Sequence, residues 1–359
     1  MPHNMCLCLY HENFINAVNC IQKVIPEFSK YGDDDDSKEF YDTFFCSEMT
    51  MECFSNSCKA CKDSFIDSIQ GVCSAESHLK VVWYEWKEKG GRQHKEKQCG
   101  SLEELAKHIS DIALEFFEHC YVKRSQQKAY TKCLHTTEND HQLAVIQLDF
   151  AENYKCIAQD EIQNDHWNQA QLSIFTVTVW IAGLITSYAL VSDDLDHSKD
   201  TIVPYVDKIL ESLPQNIKKV HFWSDGPTSQ FKNKFVAKSI GLLQKRHKMT
   251  IHWSYFATSH GKGPVDGVGG ALKREIWTKV KTRGSMVRNA AEFFDAHNKN
   301  SKVKLILMNT SDIEDRAKAM NLKDEWKSAK DVRGIMKFHH LQTVDEKVVG
   351  FRTTDESSN

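Results

Sequence analysis

Asp149, Asp225 and Asp266 each stand where an apolar run gives way to a turn or a helix start. Three carboxylates so placed are the raw material of a divalent-metal site. Asp149 closes the run Ala144-Val-Ile-Gln-Leu-Asp149. Asp225 follows Val220-His-Phe-Trp223 within Ser224-Asp-Gly-Pro227, a strong strand-then-turn signal. Taken alone, an Asp-Gly-Pro reads as a turn that caps the next helix; matching acids elsewhere change its meaning. Asp266 falls in the first turn of a helix expected over 264–281. Mg²⁺ takes hard oxygen ligands and keeps positions open for phosphate, and two such ions about 3.5–4 Å apart serve both oxygens of a phosphoryl transfer. The chemistry these residues predict is phosphodiester cleavage or transfer with Mg²⁺ or Mn²⁺.

Glu275 competes with Asp266 for the third place. Nine residues at about 100° each set the two on opposite sides of the helix, so only one can face the other acids. Gly269 and Gly270 lie three and four residues beyond Asp266 and make its side small enough to approach a sheet, which favours Asp266. Lys273 falls on that same side and is expected to meet a phosphate. Lys232, Asn233, His260 and Lys262 are the other expected nucleic-acid contacts. The glycines of His260-Gly-Lys-Gly-Pro-Val-Asp-Gly-Val-Gly-Gly270 suggest a phosphate-cradling helix start. They form neither a Walker motif nor a dinucleotide fingerprint.

The second constellation is soft. Eight of twelve cysteines precede residue 74 and none follows Cys156. No secretory signal opens the sequence, so clustered cysteines read first as metal ligands. Cys46, Cys53, Cys58 and Cys61 are spaced x6, x4 and x2, and Cys58-Lys-Ala-Cys61 supplies two ligands from one knuckle. Cys6, Cys8 and His11 either complete that zinc site or build another. A thioredoxin-like pair is disfavoured because no βαβ pattern surrounds it. Asp33-Asp-Asp-Asp36 reads as a solvated loop.

The elements that must position these groups follow from patterning. The expected sections are a Cys-rich part over 1–75, a mixed region over 76–138, a catalytic core over 139–300 and an α+β extension over 301–359. Val81 to Trp86 reads as a strand, Gly90-Gly91 and the charged stretch after it as a loop. Ser101-Leu-Glu-Glu104 is a capping box opening a helix to about Ser125. The core reads as strands over 144–149, 173–179 and 185–191, then helix 200–213, strand 220–223, helix 232–248, strand 249–257 and helix 264–281. A strand over 303–308, a helix from Ser311 and a strand pair over 337–352 end the chain. The uncharged stretch Leu172–Val191 raises a membrane question, but its β-branched content and Ala182-Gly183 suit two strands better. The net charge of -3 hides an asymmetry: residues 201–310 carry 19 Lys and Arg against 7 Asp and Glu. Such a basic field predicts a polyanionic partner and steeply salt-dependent binding.

The order of core elements is that of ribonuclease-H-like domains: an α/β fold with a mixed five-stranded sheet and helices on both faces. Four blocks carry a further resemblance: Leu148-Asp-Phe-Ala-Glu-Asn-Tyr154; Asp160-Glu-Ile-Gln with His166-Trp167; Ser224-Asp-Gly-Pro-Thr-Ser-Gln-Phe-Lys-Asn233; and Ser259-His-Gly-Lys-Gly-Pro-Val-Asp-Gly-Val-Gly-Gly270. Over roughly 140–285 the sequence resembles a family of animal proteins derived from DDE/D-type DNA transposases with a ribonuclease-H-like core. The cysteine series is similar to that family's as well. The resemblance implies that Asp149, Asp225 and Asp266 form the acidic triad and hold Mg²⁺. It departs at the N-terminus, where no helix-turn-helix module is evident; the chain is a shortened copy, or the Cys-rich section does that work. The expectation is a nuclear protein that cleaves and joins DNA, acts as a homo-oligomer and binds no membrane. The alternatives are a domesticated DNA-binding or assembly protein without catalysis, and a nuclease acting on RNA–DNA hybrids.

Overall fold

The computed structural model describes residues 8–25, 38–156, 170–261, 263–345 and 347–358. Cys6, the Asp33–Asp36 run, the Asp160 to Trp167 block and Lys262 lie outside the described residues. Two units result, Met1–Arg124 and Ser125–Asn359.

In the first unit, α1 (Leu9–Val24), α2 (Lys38–Phe44), α3 (Met51–Phe54) and α4 (Ser64–Ser74) precede a hairpin of β1 (Lys80–Lys89) and β2 (Arg92–Ser101). The charged stretch after Gly90-Gly91 is therefore a strand and not a loop. Both glycines have positive φ, 61° and 74°, which closes a two-residue hairpin whose twist matches the strands. Charge does not exclude a strand whose faces are largely solvated. On β1 the alternation buries Val81 and Trp83 and exposes Val82 and Tyr84. The Asn13 amide of α1 clasps the β1 backbone, donating to Trp86 O at 3.0 Å and accepting from Trp86 N at 2.7 Å. Phe14, Phe40, Phe44, Phe54, Phe65 and Phe117 form the aromatic centre of this core.

The capping box forms as expected: Ser101 Oγ accepts from Glu104 N at 3.1 Å, and Glu104 Oε2 from Ser101 N at 2.7 Å. The helix it opens, α5 (Leu102–Asn139), continues well past Ser125. No glycine or proline interrupts the stretch, so nothing local stops it.

The second unit is a mixed sheet. Its strands are β3 (Leu143–Lys155), β4 (Gln171–Ile181), β5 (Leu184–Ser192), β6 (Lys219–Ser224), β7 (Thr250–Tyr255), β8 (Val303–Leu307), β9 (His340–Val344) and β10 (Lys347–Phe351). They lie in the order β10-β9-β7-β6-β3-β4-β5-β8, eight strands where five were expected. The extra three come from the C-terminal segment: β8 pairs parallel with β5 at one edge, and the β9–β10 hairpin pairs with β7 at the other. The additions move the sheet's edges outward from β7 and β5 to β10 and β8, both short strands of five residues. The uncharged stretch 172–191 is β4 and β5 joined at Ala182-Gly183, both with positive φ. No helix among the described residues is long and apolar enough to cross a membrane.

Alternation fixes the sheet's two faces. Ala144, Ile146 and Leu148 of β3 point into a core with α6 (Lys199–Glu211), α7 (Lys234–His247) and α10 (Thr310–Ala319). The opposite face packs α8 (Pro264–Lys281) and α9 (Ala290–Ala296) against β4 and β5. Between α6, α7 and α10 sits fully buried Asp207, which accepts from Arg246 and Arg316 and meets His247 at 2.8 Å.

Where β6, β7 and β9 run together, three imidazoles gather, with ring centroids 5.3–5.8 Å apart: His221, His252 and His340. The Ser254 hydroxyl lies 2.7 Å from His221 Nε2 and 2.8 Å from His340 Nδ1. Burial, with His252 next, pulls His340 down from 6.5 to about 4, and burial pulls the neighbouring His339 to about 3. Unfolded histidines bind protons below pH 6.5 that these folded ones refuse, so stability is complete above pH 6.5 and falls as pH drops towards 4. His340 alone accounts for a loss on the order of 3 kcal/mol across that window. The urea midpoint of the second unit is expected to fall steeply between pH 7 and 4.5; a flat profile would exclude buried neutral imidazoles.

Candidate metal and phosphoryl-transfer site

Strand register brings the first two aspartates together. β3 and β6 pair in parallel, with Val145 opposite His221 and Gln147 opposite Trp223. Continuing that register two residues brings Asp149 level with Asp225, and both have the parity that points away from the α6–α7 core. Asp149 does not end its strand, as the sequence suggested, because β3 continues to Lys155 in pairing with β4. What ends beside Asp149 is the neighbour β6, leaving a notch at the centre of the sheet.

Asp266 enters from α8. Its Oδ2 accepts from Gly263 N at 2.8 Å, a side-chain to backbone closure of the helix's first turn. The helix lies close to the sheet at Gly269, where a Cβ would come within 2.8 Å of Ala151 Cβ. Gly270 meets nothing within 4 Å, so only one of the two glycines expected to permit close approach does so. Glu275 is engaged elsewhere: its Oε1 accepts from Asn298 N at 2.8 Å and lies 3.3 Å from His297 Nδ1.

The electrostatics tie the three carboxylates together. Burial first, then the charge of Asp225, and in smaller part that of Asp266, raise Asp149 to about 7, against a hydrogen bond from Phe150 N that favours the anion. Burial and Asp266 raise Asp225, with His260 opposing. Asp225 Oδ1 is buried without a hydrogen-bond partner. A buried carboxylate oxygen with no donor, within electrostatic reach of Asp149 and Asp266, is an unfavourable arrangement unless a proton or a cation compensates it. Asp149 Oδ1 accepts from Phe150 N at 2.7 Å and Asp266 Oδ2 from Gly263 N at 2.8 Å, so the unmet demand rests on Asp225 Oδ1.

Sequence reasoning missed the residues that shape this notch. Gln147, two residues before Asp149 on the same side of β3, is 1% exposed. It donates from Nε2 to Gly261 O at 3.0 Å and accepts from Tyr130 OH at 2.9 Å. It thereby pins the loop before α8 against the strand. The available signal was a glutamine inside an otherwise apolar strand. Gly261 is the close approach: a Cβ there would stand 1.5 Å from Asp225 Oδ1. Gly261→Ala must displace the loop or the carboxylate. On the metal-dependent reading proposed below, a displacement of about 1 Å is expected to lower turnover about 10²-fold, while the thermal midpoint moves only slightly. Unchanged turnover would show that Asp225 is not held in its working position by this loop.

Two expected nucleic-acid contacts are corrected. Lys232 is 3% exposed; its Nζ donates to Met336 O at 2.9 Å and lies over the Tyr255 ring. Burial lowers it to about 8, and it is a core lysine. Asn233 caps α7, accepting from Phe235 N and Val236 N at 3.0 Å and donating to Thr228 O and Gln230 O. Its amide is fully used in holding the turn after Asp225. Lys273 lies 3.8 Å from Glu152. A cleft of about 780 Å³ elsewhere in this unit is lined by Lys234, Lys238, Lys245, Lys330 and Lys347. Lys234 and Lys238 there pair with Asp331 and Glu325 at 2.8 Å, and none of the three aspartates lines it.

In the first unit, Cys46, Cys53, Cys58 and Cys61 form a quartet whose sulfurs all lie within 4.8 Å of one another and could hold a metal such as zinc. Cys46 Sγ and Cys58 Sγ are 3.7 Å apart. A zinc tetrahedron with Zn–S of about 2.3 Å has sulfur–sulfur edges of about 3.8 Å. Backbone N–H groups of Ala60 and Cys61 lower Cys58 to about 7, whereas burial and the neighbouring thiols raise Cys61 to about 12. Of these two sulfurs, Cys58 is the one set up as a thiolate without an ion. Asn56 and Asp63, both at positive φ, clasp across the knuckle through Asp63 N to Asn56 Oδ1 at 2.7 Å. Cys8 and His11 stand apart from the quartet, beside His119.

A family model described as Domain of unknown function (DUF8701) matches residues 126–355, nearly the whole second unit, and the chain belongs to that family. No curated protein matches it.

Proposed function

We propose that this DUF8701 protein is a divalent-metal-dependent enzyme that cleaves and transfers DNA strands, transposase-like in chemistry, with Asp149, Asp225 and Asp266 as its metal-holding acids. The observation that carries the reading is the unpartnered, buried Asp225 Oδ1, within electrostatic reach of Asp149 and Asp266 at the end of a central strand of a mixed sheet. The five central strands run in the order β5-β4-β3-β6-β7, and that order supports the ribonuclease-H-like reading of the core.

Asp149 and Asp225 would hold the ions from adjacent strands and Asp266 from the helix. Mg²⁺ or Mn²⁺, when bound, would polarise the scissile phosphate and make a water or a DNA 3′-hydroxyl nucleophilic. The residues themselves supply position. Gln147 keeps the 261 loop against the strand, Gly261 lets that loop pack directly on the Asp225 carboxylate, and the Gly263–Asp266 closure fixes the third acid. Zinc at the cysteine quartet is the structural partner of this reading. The basic balance of 201–310 supports DNA as the polyanion.

The test is direct. Purified protein should nick or join DNA only with Mg²⁺ or Mn²⁺, and bind it with an affinity that falls steeply with salt. Protein that binds DNA yet never cleaves it, across metals and substrates, would replace this reading by a domesticated DNA-binding one.

A further inference from the structure

We propose a second zinc site in the first unit, made by Cys8, His11 and His119 and separate from the cysteine quartet. Cys8 is the N-cap of α1 and His11 lies one turn on, so the pair shares a side of the helix. His119 comes from α5, far away in sequence. Their ligand atoms lie within 4.8 Å of one another, and Cys8 Sγ is 3.2 Å from His119 Nε2. A zinc tetrahedron with Zn–S of about 2.3 Å and Zn–N of about 2.0–2.1 Å has a sulfur–nitrogen edge of about 3.6 Å, within a few tenths of that separation.

The rings are held in orientation. His11 and His119 stand nearly perpendicular, with centroids 5.2 Å apart; Tyr10 stacks on His119 at 4.7 Å and Phe116 meets His11 edge-on at 5.4 Å. Cys8 is 1% exposed and His11 3% exposed. A thiol and two imidazoles gathered in an aromatic surround form a borderline-soft donor set suited to Zn²⁺. Three ligands from this unit leave the fourth position to water or another donor. The site does not depend on the phosphodiester chemistry proposed above.

Metal analysis of the full-length chain, purified without chelator, tests this. Wild-type protein should carry a second equivalent of zinc beyond the quartet's. Cys8→Ser combined with His11→Ala should remove that equivalent alone, leaving the quartet's ion and the far-ultraviolet spectrum in place. His119→Cys, which keeps a soft donor, should retain it where His119→Ala does not. Cobalt substitution gives a readout that unfolding would not imitate: loss of the d–d bands of a mixed nitrogen–sulfur site, with the all-sulfur bands unchanged. Wild-type protein saturating at the quartet's single equivalent overturns the proposal. So does a Cys8→Ser/His11→Ala chain with wild-type zinc content.

Discussion

Asp225→Asn is expected to lower Mg²⁺- or Mn²⁺-dependent DNA cleavage by about 10³-fold or more, since it withdraws several kcal/mol of metal-mediated transition-state stabilisation. DNA affinity should be unchanged, because the carboxylate lies in a notch and not on a basic surface. The same substitution is expected to stabilise the metal-free protein. Asp225 is one of the causes that raise Asp149 to about 7. An aspartate raised in the folded state costs stability as pH climbs from its usual value towards 7. Removing the like charge should recover about 1 kcal/mol at neutral pH, or about 2–4 °C in thermal midpoint for a domain of this size. Loss of activity with a gain in midpoint separates a working acid from a structural one. An Asp225→Asn chain that cleaves normally, or that melts well below wild type, would contradict this role.

Cys58→Ser with Cys61→Ser is expected to unfold the first unit, and strong chelation of the wild-type chain to do the same. The helices around the quartet are short: α2 has 7 residues and α3 has 4. Helices of that length do not persist by themselves. The aromatic cluster behind them is sound, but the segment carrying Cys46, Cys53, Cys58 and Cys61 has no strand pairing. Structural zinc contributes about 10–16 kcal/mol of apparent binding free energy near pH 7, as much as a whole domain's net stability of about 5–15 kcal/mol. The measurements are zinc content and a chelator titration followed by near-ultraviolet dichroism. A quartet variant with wild-type melting would show that these cysteines are only packed thiols. The second unit, whose core is apolar and complete, should keep its transition in either experiment.

Much of the second unit is legible because its signals are local. Short apolar runs such as 144–148 and 220–223 declare buried strands, though not where each strand ends. Positive-φ pairs such as Ala182-Gly183 declare hairpins. The cysteine spacing x6, x4, x2 names a quartet whose sulfurs the fold brings within one coordination sphere. The acids can be named because each stands beside such a boundary.

What fails is non-local. The added strands β8, β9 and β10 are readable as strands, but their seats on the sheet depend on which edges are left open. The fate of Lys232 and Asn233 is decided by the turn after Asp225, which folds the lysine under Tyr255 and uses every valence of the asparagine. Nothing in Phe-Lys-Asn distinguishes a surface lysine from a buried one, because burial belongs to the surroundings and not to the residue. Gln147 and Gly261 acquire a role only when β3 meets the loop before α8, more than a hundred residues on. His119, on a long helix with no metal-ligand spacing around it, gains meaning only beside Cys8. Short stretches of chain set the elements and the kinds of chemistry available, since period, turn residues and donor type are local properties. Which side chains share a site was settled by folding, because that depends on register and on helices brought against strands across the chain.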